Sequence, residues 1–167
     1  MRYSTRTRYG LRLLVNLASR PADSCVQLAE IARDEGISVK YLEQIVRALR
    51  PSGILRSIRG ARGGYALARP ASEIFMDVVV EYLEGHIAPV DCLYADAPCP
   101  RQNTCSTRAF WLEMDRHMRA FLARTTLARF VEDTSVRGDG CPFADGNAEE
   151  EPQACEEGCG ARNTADV

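Results

Sequence analysis

Three cysteines lie close together near the middle of this 167-residue chain, at Cys92, Cys99 and Cys105. Their spacing is Cys-x6-Cys-x5-Cys, and Pro98 and Pro100 flank the central one. Thiolates are soft ligands for iron and zinc, and they are also the side chains that oxidants attack most readily. A short segment with three of them predicts either metal binding or reversible thiol chemistry.

The remaining cysteines and the hydropathy pattern narrow the chemistry. The chain has seven cysteines, an odd number, and arginines interrupt the leucines of its N-terminal segment. No run of about 18 apolar residues occurs, so neither a membrane span nor a secretory signal is expected. We therefore expect a cytoplasmic protein, in which metal binding or redox sensing is favoured over a disulfide framework. Three alternatives stay open for the central cysteines: an iron–sulfur cluster, zinc or another metal, and metal-free thiol oxidation.

Charge is distributed unevenly along the chain. Residues 1–70 have 13 Lys or Arg against 5 Asp or Glu, a balance of +8, whereas residues 71–167 have 8 against 18, a balance of −10. The basic residues are almost all arginines, whose planar guanidinium group suits phosphate and guanine. The N-terminal part is therefore expected to bind a polyanion.

The N-terminal pattern predicts a helix-turn-helix. Apolar residues at helical spacing indicate a first helix over residues 5–19, a second near Leu28 and a third over about residues 39–50. Gly36 can close the second helix in the left-handed conformation, and Ser38 can cap the third. Two helices joined by so short a turn form a helix-turn-helix, and the third would be its recognition helix.

The recognition helix is followed by a predicted β-hairpin wing. Residues 54–58 and 64–67 are typical of strands, and the Gly-rich segment between them lets arginines approach a DNA backbone closely. The candidate DNA-contacting residues on the helix and the wing are Ser38, Lys40, Tyr41, Glu43, Gln44, Arg47, Arg59 and Arg62.

The C-terminal half predicts a dimerisation element. An apolar fourth helix over residues 74–83 precedes the cysteine segment, and one long amphipathic helix runs from Ser106 to about Val131. So long an apolar stripe most simply packs on a second copy of itself, which predicts a homodimer.

The predicted fold class of the whole chain is mainly α with a small β-hairpin wing. The expected regions are a winged helix-turn-helix at 1–84, a cysteine-rich cluster-binding loop at 85–105, a dimerisation helix at 106–133 and an acidic, flexible tail at 134–167 with Cys141, Cys155 and Cys159.

These motifs resemble those of the Rrf2 family of bacterial regulators over about residues 1–135. The matching stretches are Met1-Arg2 with Arg8-Tyr9, Gly36-Ile37-Ser38 with Tyr41-Leu42-Glu43-Gln44, the wing from Arg59 to Tyr65, and Cys105 to Trp111. The resemblance implies a dimeric winged-helix transcription factor on a pseudo-palindromic operator in double-stranded DNA. It also implies an iron–sulfur cluster held by Cys92, Cys99 and Cys105, either [2Fe-2S] or [4Fe-4S]. It gives Glu43 and Gln44 a role in sequence choice and Arg59 a wing contact, and it adds Arg2 to the DNA-contacting set.

This sequence departs from the family pattern at the position of the fourth cluster ligand. Iron–sulfur cluster regulators of the family have a histidine three residues after the last cysteine, where this chain has Arg108. Nitric oxide sensors of the family use an acidic residue near position 8, where this chain has Arg8. Water, a small thiol, a carboxylate of Asp91 or Asp96, or a tail cysteine remain alternatives for the fourth position.

The sequence thus predicts a DNA-binding transcriptional regulator that senses iron–sulfur cluster status, or redox or nitric oxide stress, through a cysteine-ligated cluster. Two alternatives stay open: a metal-free thiol-redox regulator, and an iron–sulfur electron carrier. The chain has no constellation of nucleophile and base and no phosphate-binding loop, so an enzyme is not expected.

Overall fold

The computed structural model describes residues 3–21, 24–60, 63–85, 87–93 and 99–135. The described helices and strands are α1 (Thr5–Ala18), α2 (Leu28–Glu35), α3 (Val39–Leu49), β1 (Leu55–Ile58), β2 (Gly64–Leu67), α4 (Met76–Glu84), α5 (Arg108–Arg124) and α6 (Leu127–Ser135). Short 3-10 turns occupy Arg50–Ser52, Ala71–Glu73 and Asp91–Leu93. The predicted fold class, mainly α with a small antiparallel hairpin, is confirmed. None of the helices in the described ranges is long and apolar enough to cross a membrane.

Local signals define the helix-turn-helix as the sequence predicted. The Ser4 hydroxyl accepts a hydrogen bond from the Thr7 amide at the start of α1, and the Ser38 hydroxyl accepts one from the Tyr41 amide at the start of α3. Gly36 ends α2 in the left-handed conformation, with φ of 64°. Each of these side chains or backbone conformations satisfies polar groups that a helix end leaves unpaired.

The part of the chain that contains α1 to α4 and the wing is called the head here. Its core lies where α1, α3 and α4 meet. Leu13, Leu14, Ile45, Leu49 and Leu83 are each 0% exposed. Gly10 allows α1 and α4 to approach closely, because a Cβ at this position would overlap a methyl group of Leu83. This packing fixes the orientation of α3, whose opposite face is left to solvent.

The wing is anchored to the chain just before α2. Leu55 pairs with Leu67 and Ile58 with Gly64 in the antiparallel register of β1 and β2. Val26 and Tyr65 exchange two backbone hydrogen bonds, of 2.9 and 2.8 Å, on the outer side of β2. At position 64 any Cβ would meet the Val26 carbonyl, so only glycine fits this approach.

The predicted single helix from Ser106 to about Val131 is wrong, because it is interrupted at Thr125. The chain leaves α5 at that residue and begins α6 two residues later. There the Met76 amide donates to the Thr125 carbonyl at 2.9 Å, and the Leu127 amide donates to the Ile74 carbonyl at 2.8 Å. These two backbone bonds dock the junction on the chain just before α4, and α6 then packs on α1. The C-terminal helix therefore belongs to the core of the head.

We expect Leu127→Ala to lower the free energy of unfolding by about 3 kcal/mol. Leu127 is 0% exposed, so the truncated side chain would leave a cavity between α6 and the head. Urea denaturation followed by circular dichroism measures the change. Val39→Ala is the control, because Val39 is 39% exposed and its truncation should change stability by less than about 0.5 kcal/mol. Equal effects of the two substitutions would contradict the docking of α6.

A carboxylate from α4 completes the start of α1. Glu84 accepts a hydrogen bond from the Ser4 amide, which is the role that an acidic residue on the helix itself has in a capping box. Burial raises the pKa of Glu84, but polar contacts with Thr7 and Ser4 and the charge of Arg6 outweigh burial, and the net pKa is below the usual 4.5. The ionised carboxylate therefore ties the end of α4 to the first turn of α1.

We expect Glu84→Gln to lower the free energy of unfolding at pH 7 by about 0.5–1 kcal/mol. Because the pKa of Glu84 is lowered by folding, its contribution is present above pH 4.5 and is lost as the pH falls through the lower folded value. The difference between the wild-type protein and the variant should therefore be constant from neutral pH downwards and should shrink below pH 4.5. Urea midpoints across this range measure it. A difference that stays constant in acid would argue against the ionised cap.

Candidate DNA interface and thiol loop

The outer face of α3 is polar and accessible. Lys40, Glu43, Gln44 and Arg47 are exposed, as the helical periodicity predicted, and the capping residue Ser38 is exposed as well. Leu42, Ile45, Val46 and Leu49 occupy the opposite, buried face. The structure thus brings these predicted DNA-contacting residues together on a single surface.

Tyr41 differs from the other predicted residues of this helix. It is half-buried, and its ring meets the edge of the Tyr9 ring with centroids 5.9 Å apart and an interplanar angle of 87°. Edge-to-face contacts of this kind stabilise aromatic pairs. Part of the Tyr41 side chain therefore joins α3 to α1, and only its remaining surface faces outward.

A groove of about 310 Å³ separates the recognition helix from the wing. Glu43, Val46, Arg47, Arg50, Leu55, Ser57 and Tyr65 line it. Arg47 and Arg50 place two guanidinium groups along the helix side of this groove. Arg50 and Ser57 were not among the residues predicted from the sequence. The spacing of three residues between the two arginines was the signal that could have identified Arg50, since such residues share a helix face.

Arg59 is exposed just after β1, where the turn of the wing begins, and it extends the basic surface beyond the groove. Arg2 and Arg62, which were also predicted to contact DNA, lie outside the described residues. So do Asp96, Cys141, Cys155 and Cys159.

Two arginines that contribute to the basic balance of the N-terminal part bind acidic residues of α2. Arg12 pairs with Glu35 at 2.9 Å and also donates to the Glu35 backbone carbonyl at 2.6 Å. Arg20 pairs with Glu30 at 2.8 Å and with Asp34 at 2.9 Å. These pairs hold α2 against α1, so Arg12 and Arg20 are not free to contact a polyanion, and the other basic residues of this part of the chain must do so.

The predicted sulfur ligands lie on the segments on either side of residues 94–98. Cys92 and Cys105 are exposed, and Cys99 is half-buried. No disulfide joins any of the described cysteines. Within the described ranges, no three Cys, His, Asp or Glu side chains converge as a metal site. The structure thus places the three thiols on one loop region without gathering them at one point.

Cys105 has the most distinctive environment of the three cysteines. Its sulfur lies 3.4 Å from the Thr107 hydroxyl, just before the N-terminus of α5. Hydrogen bonds from the side chain and amide of Thr107, with the Arg108 amide and the charge of Arg101, lower the pKa of the Cys105 thiol. The thiolate is the form of cysteine that binds metals and reacts with oxidants.

A capped helix-turn-helix with a basic outer face, followed by an arginine-bearing hairpin, defines a winged-helix DNA-binding protein. A family model described as "Rrf2: Iron-dependent Transcriptional regulator" matches residues 3–133. The chain belongs to the Rrf2 family, and it is therefore a transcriptional regulator and not an enzyme.

Individual relatives agree with this assignment. The chain is 42% identical over 142 residues to Protein rrf2 of Nitratidesulfovibrio vulgaris, covering 85% of this chain and 92% of the relative. It is 32% identical over 136 residues to the HTH-type transcriptional regulator IscR of Yersinia pseudotuberculosis, covering 81% and 82%. Among solved structures, the oxidized form of Staphylococcus aureus CymR aligns with a TM-score of 0.62 at 37% identity, covering 79% of this chain and 97% of that one. The electron-carrier alternative has no support from these relatives.

Proposed function

We propose that the protein is a homodimeric, cytoplasmic transcriptional regulator that binds a pseudo-palindromic operator and senses iron–sulfur cluster status, oxidants or nitric oxide through Cys92, Cys99 and Cys105. The observation on which this depends most is the basic groove between α3 and the wing. Arg47 and Arg50 line that groove, and Arg59 continues it. Its two sides match the two contacts of a winged helix, a helix in the major groove and a wing on the flanking backbone.

The mixed charge on α3 supports a role in sequence choice. Glu43 and Gln44 are exposed on the same face as Arg47. A carboxylate near phosphates is repelled unless it accepts a hydrogen bond from the amino group of cytosine, whereas glutamine pairs well with adenine. We therefore assign Glu43 and Gln44 to base recognition, and Lys40, Arg47 and Arg59 to phosphate contacts and to guanine.

The donor set of the loop fits an iron–sulfur centre in its chemistry. Three thiols are available, two of them exposed, and hydrogen bonds from Thr107 favour the thiolate of Cys105. Thiolates are the usual ligands of such clusters. When bound, the cluster would supply iron that oxygen and nitric oxide attack. Cys92, Cys99 and Cys105 would hold it, and Asp91, exposed beside Cys92, is an oxygen donor within the same turn.

A second candidate is regulation by thiol oxidation without metal. It is favoured by the separation of the thiols in the described ranges and by the lowered pKa of Cys105. The relative CymR has been crystallised in a form described as oxidized. Both candidates use the same three sulfurs, and they differ in whether iron and sulfide accompany them.

The exposed side of α5 supports the homodimer. Of the residues of α5, all of which the structure describes, only Asp115 is buried. Phe110 is 58% exposed, Met114 41% and Phe121 37%. Phe121 also borders an apolar groove of about 260 Å³ that reaches α1 and α6. Several exposed apolar side chains on one helix are typical of an interface. A dimer has two recognition helices, one for each half of a pseudo-palindromic operator.

We expect Phe110→Gln combined with Met114→Gln to shift the protein from dimer to monomer. Loss of two apolar side chains from the interface should cost roughly 3 kcal/mol, or about a hundredfold in the dissociation constant. Sedimentation velocity over a concentration series measures the change. Val39→Gln, which alters an equally accessible apolar residue on α3, should leave the dimer unchanged. An unaltered dissociation constant in the double variant would mean that α5 is not the interface.

The whole proposal is tested on protein purified without oxygen. We expect visible absorption, with iron and acid-labile sulfide in near-equal amounts, and retardation of a limited set of genomic DNA fragments at moderate salt. If metal-free protein retards the same DNA fragments and stops binding them when it is oxidised, the result would favour the thiol-redox candidate. Failure to retard any fragment at low salt would overturn the proposal.

A further inference from the structure

A polar clamp joins α5 to the start of the segment that leads into the cysteine loop. Asp115 is only 3% exposed, and its carboxylate accepts a hydrogen bond from the Arg119 Nε at 2.8 Å. A second guanidinium nitrogen of Arg119 donates to the backbone carbonyl of Ile87 at 2.7 Å. We call these three residues the Arg119 clamp.

The clamp is placed so that it affects both ends of the loop. Ile87 lies five residues before Cys92, and α5 begins three residues after Cys105. Arg119 is eleven residues beyond the first residue of α5, which is about 16 Å along the helix. Five residues of extended chain span at most about 17 Å. The extended length of the chain from Ile87 to Cys92 is thus comparable to the length of α5 between Arg119 and its first turn, which follows Cys105.

The described conformation of the loop agrees with this geometry. The 3-10 turn at Asp91–Leu93 shortens the path from Ile87, and within the described ranges the thiols do not converge. Extension of that turn would lengthen the reach of Cys92 while Ile87 stays bound. Release of Ile87 would instead let the start of the loop move away from α5. The effective concentration of the Cys92 thiol near Cys105 would then be lower.

Arginine is the residue type that this arrangement requires. Its planar group presents several donors in fixed directions, so one side chain can pair with a buried carboxylate and bind a carbonyl at the same time. The Asp115 carboxyl group is buried, and such a group needs a hydrogen-bonded partner. Arg116, by contrast, pairs with the exposed Glu113 within α5.

We propose that Arg119 is a positioning residue for the sulfur site: paired with Asp115, it binds the Ile87 carbonyl and holds the start of the cysteine loop within reach of Cys105. This inference rests on the proposed function, in which the three thiols act together. It gives Arg119 a role in placing the chain that leads to Cys92.

The first test uses reduced, metal-free protein, so it is independent of a cluster. In Arg119→Gln and in Arg119→Lys, we expect amide hydrogen exchange over residues 87–93 to be about tenfold faster than in the wild-type protein. The lysine variant keeps the charge beside Asp115 but loses the second donor, so a simple loss of folding does not explain its behaviour. Arg116→Gln removes the same charge from the same helix and should exchange as the wild type does. Wild-type exchange in Arg119→Lys, or equal acceleration in Arg116→Gln, would overturn the proposal.

The second test measures the cluster. After anaerobic reconstitution, both Arg119 variants should bleach in air roughly tenfold faster than the wild type, with altered visible absorption, as is usual when a residue that orients a metal ligand is changed. If the wild type assembles a cluster and the variants match it in spectrum and bleaching rate, the clamp proposal fails and the proposed function stands. If the wild type assembles none but the exchange result holds, the cluster function fails and the clamp stands.

Discussion

A variant with serine at positions 92, 99 and 105 is expected to purify without iron or sulfide and to occupy its operator equally under air, nitric oxide and anoxia. The three cysteines are the thiols of one loop region; Cys92 and Cys105 are exposed, and hydrogen bonds from Thr107 lower the pKa of Cys105. Serine keeps their size and removes the soft ligand and the oxidisable atom together. In the wild type, the signal should change operator affinity by roughly 10- to 100-fold, which is the usual range of coupling between two sites.

Fluorescence anisotropy of a labelled operator measures the change in DNA affinity. Visible absorption, together with iron and sulfide analysis, measures the cluster content of the protein. Cys25→Ser is the matched control, because Cys25 is half-buried before α2, far along the chain from the loop. The Cys25→Ser variant should keep both the visible absorption of the cluster and the change in operator affinity. If the triple variant still responds to oxidants, the sensing atoms lie elsewhere, and both the cluster and the thiol-redox candidates on this loop are excluded.

The second large effect is expected at the DNA interface. Arg47→Ala combined with Arg59→Ala should weaken operator binding about a hundredfold, because each arginine contact contributes roughly 1–3 kcal/mol and the two lie on separate elements. Arg47 lines the groove beside α3, and Arg59 is exposed where the turn of the wing begins. The dependence of affinity on salt should also decrease by about one counterion for each phosphate that an arginine no longer neutralises.

Titrations at several salt concentrations separate these two effects. Arg116→Ala removes an exposed arginine from α5, outside the head, and should leave both affinity and salt dependence unchanged. If the double variant binds as tightly as the wild type, the groove between α3 and the wing is not the DNA interface. A loss confined to the operator, with unchanged binding to random DNA, would instead assign both arginines to base recognition.

The sequence determined the elements that depend on local interactions. Gly36 and Ser38 define the turn before α3 through a left-handed backbone and a side-chain cap, and both effects act within a few residues. The apolar period of α3 predicts its buried face correctly, from Leu42 to Leu49. The hairpin follows from two short strand-forming segments around a Gly-rich turn, and two of the four matching family stretches fall on α3 and this hairpin.

Only the tertiary structure decided the features that join distant segments. Nothing in the periodicity of residues 106–131 marks a break, but backbone hydrogen bonds to Ile74 and Met76 at Thr125 and Leu127 turn the chain back to the head. Likewise, the ion pairs of Arg12 and Arg20 with α2 are invisible to a count of charges. Contacts of this kind depend on which surfaces the core brings together. That is why the sequence predicted which residues could do chemistry, and the fold decided which are free to contact DNA and how the thiol loop is anchored.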